Sequence, residues 1–220
     1  PPQGAPMRLV LALPFVALAL VPAPAQDTPG ARPLFNGTDF TGWMTSAGQP
    51  VTKGWVVKDG AMVREGGGGD IWTKERFGNF VLDLEFKTSG NSGVFFRTDN
   101  PKDNVQTGIE IQVDVPRGKT DKHSVGAIYD LVAPTKENSK ANAWNALRVT
   151  ARGPLLKVES NGEVVAEMDL DRWTEGGKNP DGTTNKFKTA LKNFKREGHI
   201  GLQEHGAAVS YRNIRVREVK

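Results

Sequence analysis

From Leu34 onward, short strand patterns recur along the chain with turn signals between them. Gly54-Trp55-Val56-Val57-Lys58 runs into Asp59-Gly60 and returns through Ala61-Met62-Val63, which predicts a tight hairpin. Phe80, Leu82, Leu84 and Phe86 alternate with Val81, Asp83, Glu85 and Lys87, the pattern of a half-buried strand. Residues 92–97 predict another strand, with Val94 and Phe96 on one face and Phe95 and Arg97 on the other. Leu147, Val149 and Ala151 alternate with Arg148, Thr150 and Arg152. Residues 156–160 and 163–168 flank Asn161-Gly162, which suits the two positive-φ positions of a type I′ turn. Residues 199–204 and 210–219 predict closing strands. Phe187, Ala190, Leu191 and Phe194 have helical spacing, so residues 186–194 are expected to form one short amphipathic helix. Many short strands, frequent turns and almost no helix predict an all-β fold, a jelly-roll β-sandwich of two antiparallel sheets.

The most informative strand is Ile109-Glu110-Ile111-Gln112-Val113-Asp114-Val115. Alternation turns Ile109, Ile111, Val113 and Val115 to a core and lines up Glu110, Gln112 and Asp114 on the other face. Such a row is either an ordinary solvated face or the floor of a carbohydrate site, since carboxylates and amides accept from and donate to sugar hydroxyls. Ordinary glycoside hydrolysis needs two carboxyl groups about 5–10 Å apart. The Cα atoms of Glu110 and Asp114, two pleats apart, are roughly 13 Å from each other, so direct pairing is not assured.

The ends and the composition narrow the options. Met7-Arg8, an apolar run over residues 9–21 and Ala23-Pro24-Ala25 read as a secretory signal over residues 1–25, with cleavage before Gln26 and an upstream extension before Met7. The run is short for a membrane span and Pro14 interrupts it, so no stable membrane insertion is expected once it is removed. Residues 26–33 read as a flexible lead-in and residues 34–220 as one domain, secreted or periplasmic. There is no cysteine, so core burial must do the work of disulfides. The formal charge of +4 comes from dispersed residues, which argues against nucleic acid as a partner.

His205 is one of three histidines and follows Gln203 on the face opposite Ile200, Leu202 and Glu204. Its ordinary pKa of about 6.5 suits acid or base work, although a turn histidine bonding backbone fits equally well. Arg97 could clamp a carboxylate or a substrate oxygen, or serve in a structural ion pair. Trp43, Trp72, Trp144 and Trp173 are core or sugar platforms. Metal is weakly signalled: no paired-histidine or cysteine spacing exists, and Glu110, Asp114 and His205 could form a mixed site only if the fold brings them together. Nucleophile-elbow, phosphate-loop and dinucleotide motifs are absent from the sequence.

Several segments in order resemble the 3-keto-disaccharide hydrolase domain family. They are Leu34-Phe35-Asn36-Gly37 with Gly42-Trp43, Asn91-Ser92-Gly93 through Arg97, Glu110-Ile111-Gln112-Val113-Asp114, Gly126-Ala127-Ile128-Tyr129 with Ala133-Pro134, Trp144-Asn145, Gly201-Leu202-Gln203-Glu204-His205-Gly206, and Arg212-Asn213-Ile214. The resemblance implies a concanavalin A-like sandwich acting on carbohydrate, with cleavage of glycosides oxidised at C3. A C3 ketone acidifies the C2 hydrogen, so a base can remove it and expel the C1 substituent, provided something stabilises the enolate. The chain departs from the family in carrying Glu204 where Asp usually precedes the histidine.

The expected function is therefore cleavage of 3-keto-glycosides or related glycosides, by hydrolysis or by elimination and hydration. His205 and Glu110 are the expected catalytic residues. Arg97, Gln112, Asp114, Gln203, Asn91, Tyr129 and Trp144 are the expected substrate contacts. A divalent cation on Glu110 or His205 is a further option. The rivals are a non-catalytic, lectin-like carbohydrate-binding module and, ranked last, a retaining glucanase using Glu110 and Asp114.

Overall fold

The computed structural model describes residues 29–220, so the expected signal at residues 1–25 lies outside the described residues. Thirteen strands follow in order. They are β1 (Arg32–Pro33), β2 (Trp43–Thr45), β3 (Trp55–Lys58), β4 (Ala61–Arg64), β5 (Ile71–Thr73), β6 (Phe80–Thr88) and β7 (Ser92–Thr98), then β8 (Ile109–Val113), β9 (Asn145–Arg152), β10 (Leu155–Ser160), β11 (Glu163–Asp169), β12 (His199–Leu202) and β13 (Val209–Glu218). One sheet runs β11-β10-β9-β6-β13-β4-β3, with β1 paired to β13. The other runs β2-β5-β12-β7-β8. All pairings are antiparallel, and the two sheets enclose one core, as a jelly-roll sandwich requires.

Alternation explains the layering. Phe80, Leu82, Leu84 and Phe86 of β6 face Val94 and Phe96 of β7 and Ile109, Ile111 and Val113 of β8 across the core. The other face of β6 is buried too, although by ion pairs: Asp83 accepts from Arg148 Nε at 2.5 Å and Glu85 from Arg212 Nε at 2.6 Å. Both hairpins expected from Asp59-Gly60 and Asn161-Gly162 form, and Asp59, Gly60, Asn161 and Gly162 all have positive φ.

Two expectations shift. Arg32 and Pro33, read as part of a flexible lead-in, pair with Val216 and Arg215 of β13. The short α-helix, α1, lies at Asn104–Thr107 and not over residues 186–194, where only a 3-10 turn forms at Leu191–Asn193. Phe187, Leu191 and Phe194 are buried as their spacing demands, and the Phe187 and Phe194 rings meet edge to face at 5.5 Å. Yet the backbone between them is extended at Ala190 (φ −56°, ψ 131°). The apolar period thus records a loop crossing the core edge. Helical periodicity cannot distinguish these when the segment is only two turns long.

Candidate functional site

The outer face of the five-stranded sheet carries the polar row. In the β7–β8 register Gly93 sits opposite Gln112 and Phe95 opposite Glu110, while in β12–β7 Gly201 sits opposite Phe95. Glycine at 93 and 201 is a steric requirement. A Cβ on Gly93 would stand 2.4 Å from Glu110 Oε1, and one on Gly201 would stand 2.4 Å from the Trp72 ring. Missing side chains therefore make room for the Glu110 carboxylate and for Trp72, which packs on Phe95 at 5.5 Å.

Glu110 is the centre. It is buried, its Oε1 accepts from Gln203 Nε2 at 3.1 Å and its Oε2 lies 3.3 Å from Lys186 Nζ. Burial pushes its carboxyl above the usual range, and the Lys186 ammonium opposes that shift. Lys186 Nζ also stands over the Tyr129 ring, 4.1 Å from its centroid. Tyr129 arrives there because residues 126–129 run along the free edge of β8: its amide donates to Glu110 O, and Gly126 N to Gln112 O. Burial and the nearby Glu110 charge raise the Tyr129 phenol above its usual value.

A second strand of polar contacts leads to His205. Gln112 Nε2 donates to Asn91 Oδ1 at 2.9 Å, and Asn91 Nδ2 faces His205 Nδ1 at 3.3 Å. With Nδ1 engaged, Nε2 is the nitrogen of this exposed imidazole left for further bonding. Gln203 and His205 both lie on this face, and Glu204 turns away to Arg64 at 2.6 Å, as alternation requires. Trp72 Nε1, Gln112 Oε1 and Gln203 Oε1 share the face, are buried, and have no hydrogen-bond partner among the described residues. Orphaned polar atoms of this kind are where a ligand or ordered water belongs.

Asp70 and Lys186 belong to the site without having been expected there. Asp70 follows the Gly66–Gly69 loop and precedes β5, so it shares the face of Trp72. Its Oδ1 accepts from Glu204 N at 2.8 Å and its Oδ2 from Asn104 Nδ2 at 2.7 Å. Burial pushes its carboxyl up to about 6, with Glu204 adding to the rise and the backbone bond opposing it. The available signal was the place of Asp70, one residue before a strand and in step with Trp72. Lys186 had no sequence signal, because the long loop that delivers it imitates a helix.

Three expected contacts lie elsewhere. Arg97 is buried with φ +50°, which swings it off the alternation. It donates to Gly78 O at 2.8 Å, Gly153 O at 2.7 Å and Asn79 Oδ1 at 3.2 Å, so it ties the two sheets together at one end. Desolvation pulls its guanidinium down to about 10. A recess of about 500 Å³ opens at this same end, between Arg76, Asn79 and Arg196, and contains no member of the polar row. Trp144 lies on the outer face of the other sheet, stacked on Arg212 at 4.0 Å with Lys87 at 5.1 Å. Asp114 lies just past β8 and pairs with Arg117 while accepting from Val115 N, so it forms no carboxylate pair with Glu110. Of the remaining tryptophans, Trp43 and Trp173 are core residues. Among the described residues no group of three or more His, Cys, Asp or Glu side chains converges as a metal site.

A family model described as a 3-keto-alpha-glucoside-1,2-lyase-like domain matches residues 30–217. The chain belongs to this family. A 3-keto-disaccharide hydrolase of Bacteroides thetaiotaomicron is 27% identical over 229 residues, covering 87% of this chain and 79% of its own length. A crystal structure from Parabacteroides distasonis, assigned to the glycosyl hydrolases without proof of activity, is 31% identical, covers 86% of this chain and 99% of its own, and superposes with a TM-score of 0.76. A second from the same organism, assigned in the same way, is 27% identical over 87% and 94% of the two chains, with a TM-score of 0.72. Membership of the lyase-like family gives this protein a carbohydrate-active role.

Proposed function

We propose that the protein cleaves the glycosidic bond of 3-keto-glycosides by removing the C2 proton and expelling the C1 substituent, and that it acts outside the cytoplasm after export directed by residues 1–25. The observation that carries this reading is the buried carboxylate of Glu110, raised in basicity by burial and set 3.3 Å from the Lys186 ammonium. Proton abstraction beside a ketone needs one such base, whereas ordinary glycoside hydrolysis needs a second carboxyl group across the bond. Asp114, the expected partner for that second role, is occupied by Arg117, and the Asp70 carboxylate accepts from Glu204 N and Asn104 Nδ2.

In this reading Glu110 takes the C2 proton. The electron pair moves toward C3 to give the enolate, then returns to form the C1–C2 double bond as the C1–oxygen bond breaks. The C2 proton passes from Glu110 to the departing oxygen, so the products are an unsaturated ketose and the free alcohol. His205, at the rim with Nε2 outward, supplies the hydrogen bond that the departing oxygen needs as charge builds on it. Gln112, Gln203 and Trp72 offer their orphaned polar atoms to the sugar hydroxyls. Water added later to the unsaturated product completes net hydrolysis.

The test is incubation of the protein with a 3-keto-glucoside and with its unoxidised parent, followed by mass spectrometry. Cleavage of the keto substrate alone, with an unsaturated product, is expected. Cleavage of both at similar rates would sink the elimination route, and measurable binding with no cleavage of either would turn the reading to a lectin-like module.

A further inference from the structure

We propose that Lys186 is the electrophile of this reaction, its ammonium binding the C3 oxygen and carrying the enolate charge formed when Glu110 takes the C2 proton, an assignment that rests on the 3-keto reading above. Deprotonation beside a ketone needs two groups at once, a base at C2 and a hydrogen-bond donor or cation at the C3 oxygen, and these two substrate positions are separated by a single carbon. The structure places one such pair side by side, Glu110 Oε2 and Lys186 Nζ at 3.3 Å, on the ligand-facing side of the sheet.

Lys186 is not a surface lysine that happens to reach a carboxylate. Its backbone is fixed from both directions: Asp130 Oδ2 accepts from its amide at 2.5 Å, and Gln106 Nε2 donates to its carbonyl at 3.0 Å. The next residue, Phe187, is buried in the core. The side chain is threaded past the Tyr129 ring, 4.1 Å from its centroid, and the Phe187 ring, 5.4 Å away. An ammonium has three donors, and the one oxygen partner found for Nζ is Glu110, so donors remain for a substrate oxygen. Partial enclosure strengthens the attraction between this cation and a developing oxyanion beyond its value in water.

The step balances without a further reactant. The C2 proton goes to Glu110, its bonding pair becomes the enolate with charge on the C3 oxygen, and that charge is held by Lys186. When the pair returns, the C3 carbonyl re-forms, the C1–C2 double bond appears and the C1–oxygen pair leaves on the departing oxygen, which takes up the proton held by Glu110 and is released as the alcohol. Lys186 keeps its protons throughout.

The test isolates enolisation from bond cleavage. A 3-keto-1,5-anhydroglucitol has no exocyclic leaving group at C1, so in heavy water no aglycone can be expelled and enolisation appears as exchange of the C2 hydrogen for deuterium, which is read by NMR. Lys186→Met is expected to slow this exchange by about 10²–10³-fold, the usual cost of removing one oxyanion donor. Lys186→Arg, which keeps the charge, is expected to retain part of the rate. Binding of the unoxidised parent glucoside, whose C3 hydroxyl carries no charge, should weaken far less than exchange slows. Exchange by Lys186→Met at the wild-type rate would overturn the assignment. So would an equal loss of parent-glucoside binding, which would make Lys186 a structural partner of Glu110. If the wild-type protein neither exchanges the anhydro-ketose nor cleaves a 3-keto-glucoside, the functional reading itself falls.

Discussion

Gln106 clamps the chain on both sides of Phe187, directly after Lys186: its Nε2 donates to the Lys186 carbonyl at 3.0 Å, and its Oε1 accepts from the Lys188 amide at 2.9 Å. One side chain thus replaces the pair of backbone bonds that a neighbouring strand would give. Gln106→Leu should leave the sandwich folded, because Gln106 is outside the core, and should lower kcat on 3-keto-glycosides roughly tenfold or more, since small displacements of positioning groups are costly. Steady-state kinetics beside thermal unfolding checks this; a variant with unchanged kcat would show that the clamp does not position the lysine.

Glu110→Gln keeps the shape and removes the base. A loss of about 10²–10⁴-fold in kcat/KM is expected, with circular dichroism unchanged. In the wild type the base must be ionised, so kcat/KM should rise with pH, and the rise should be centred above the ordinary glutamate range because burial raises the Glu110 carboxyl. A pH profile centred in the normal carboxylate range would count against Glu110 as the titrating base.

Asp70 gives a stability test with a defined sign. Its carboxyl titrates near 6 when folded against 3.8 ordinarily, so the folded state binds more protons in between. The charged form therefore costs stability, and the cost grows as pH rises from about 4 to 6 and is complete above that. Asp70→Asn removes the charge, so its stability relative to wild type should improve between pH 4 and pH 8, by on the order of 1–3 kcal/mol. Urea denaturation at the two pH values measures the difference; an equal offset at both would refute it.

Arg97→Met should be a stability variant and not an activity variant. It leaves the carbonyls of Gly78 and Gly153 without their donor, at a cost of about 3 kcal/mol or more. The fraction that remains folded is expected to keep wild-type kcat, and a kcat loss exceeding tenfold in folded protein would return Arg97 to the site.

Gly93→Ala and Gly201→Ala separate the two uses of glycine on this face. The added Cβ at 93 meets the movable end of Glu110, so activity should fall with little change in Tm. The added Cβ at 201 meets the fully buried Trp72 ring, so Tm should fall by several degrees, roughly what 1–2 kcal/mol produces in a domain of this size.

Alternation made most of the sandwich legible. Phe80 to Phe86 and Ile109 to Val113 are two-residue periods with one apolar and one polar side, and a register slip would have turned every one of those apolar side chains out of the core. The same rule located Glu110, Gln112, Gln203 and His205 on one face. It failed where the backbone leaves the strand. Arg97 has a left-handed φ that no local pattern announced, Asp114 lies one residue beyond the end of β8, and Trp144 stands on a face of the second sheet that no single strand could assign. Lys186 was missed for a different reason. Its position depends on contacts with Gln106 and Asp130, residues 80 and 56 positions away in the chain, and non-local contacts leave no periodicity to read.

The four residues of α1 touch both flanks of the polar face, Asn104 through Asp70 and Gln106 through Lys186. A single turn of backbone therefore ties the Asp70 side of the polar face to the Lys186 side. Neither side can move alone without breaking a bond to that turn, so the spacing across the face is set as one dimension.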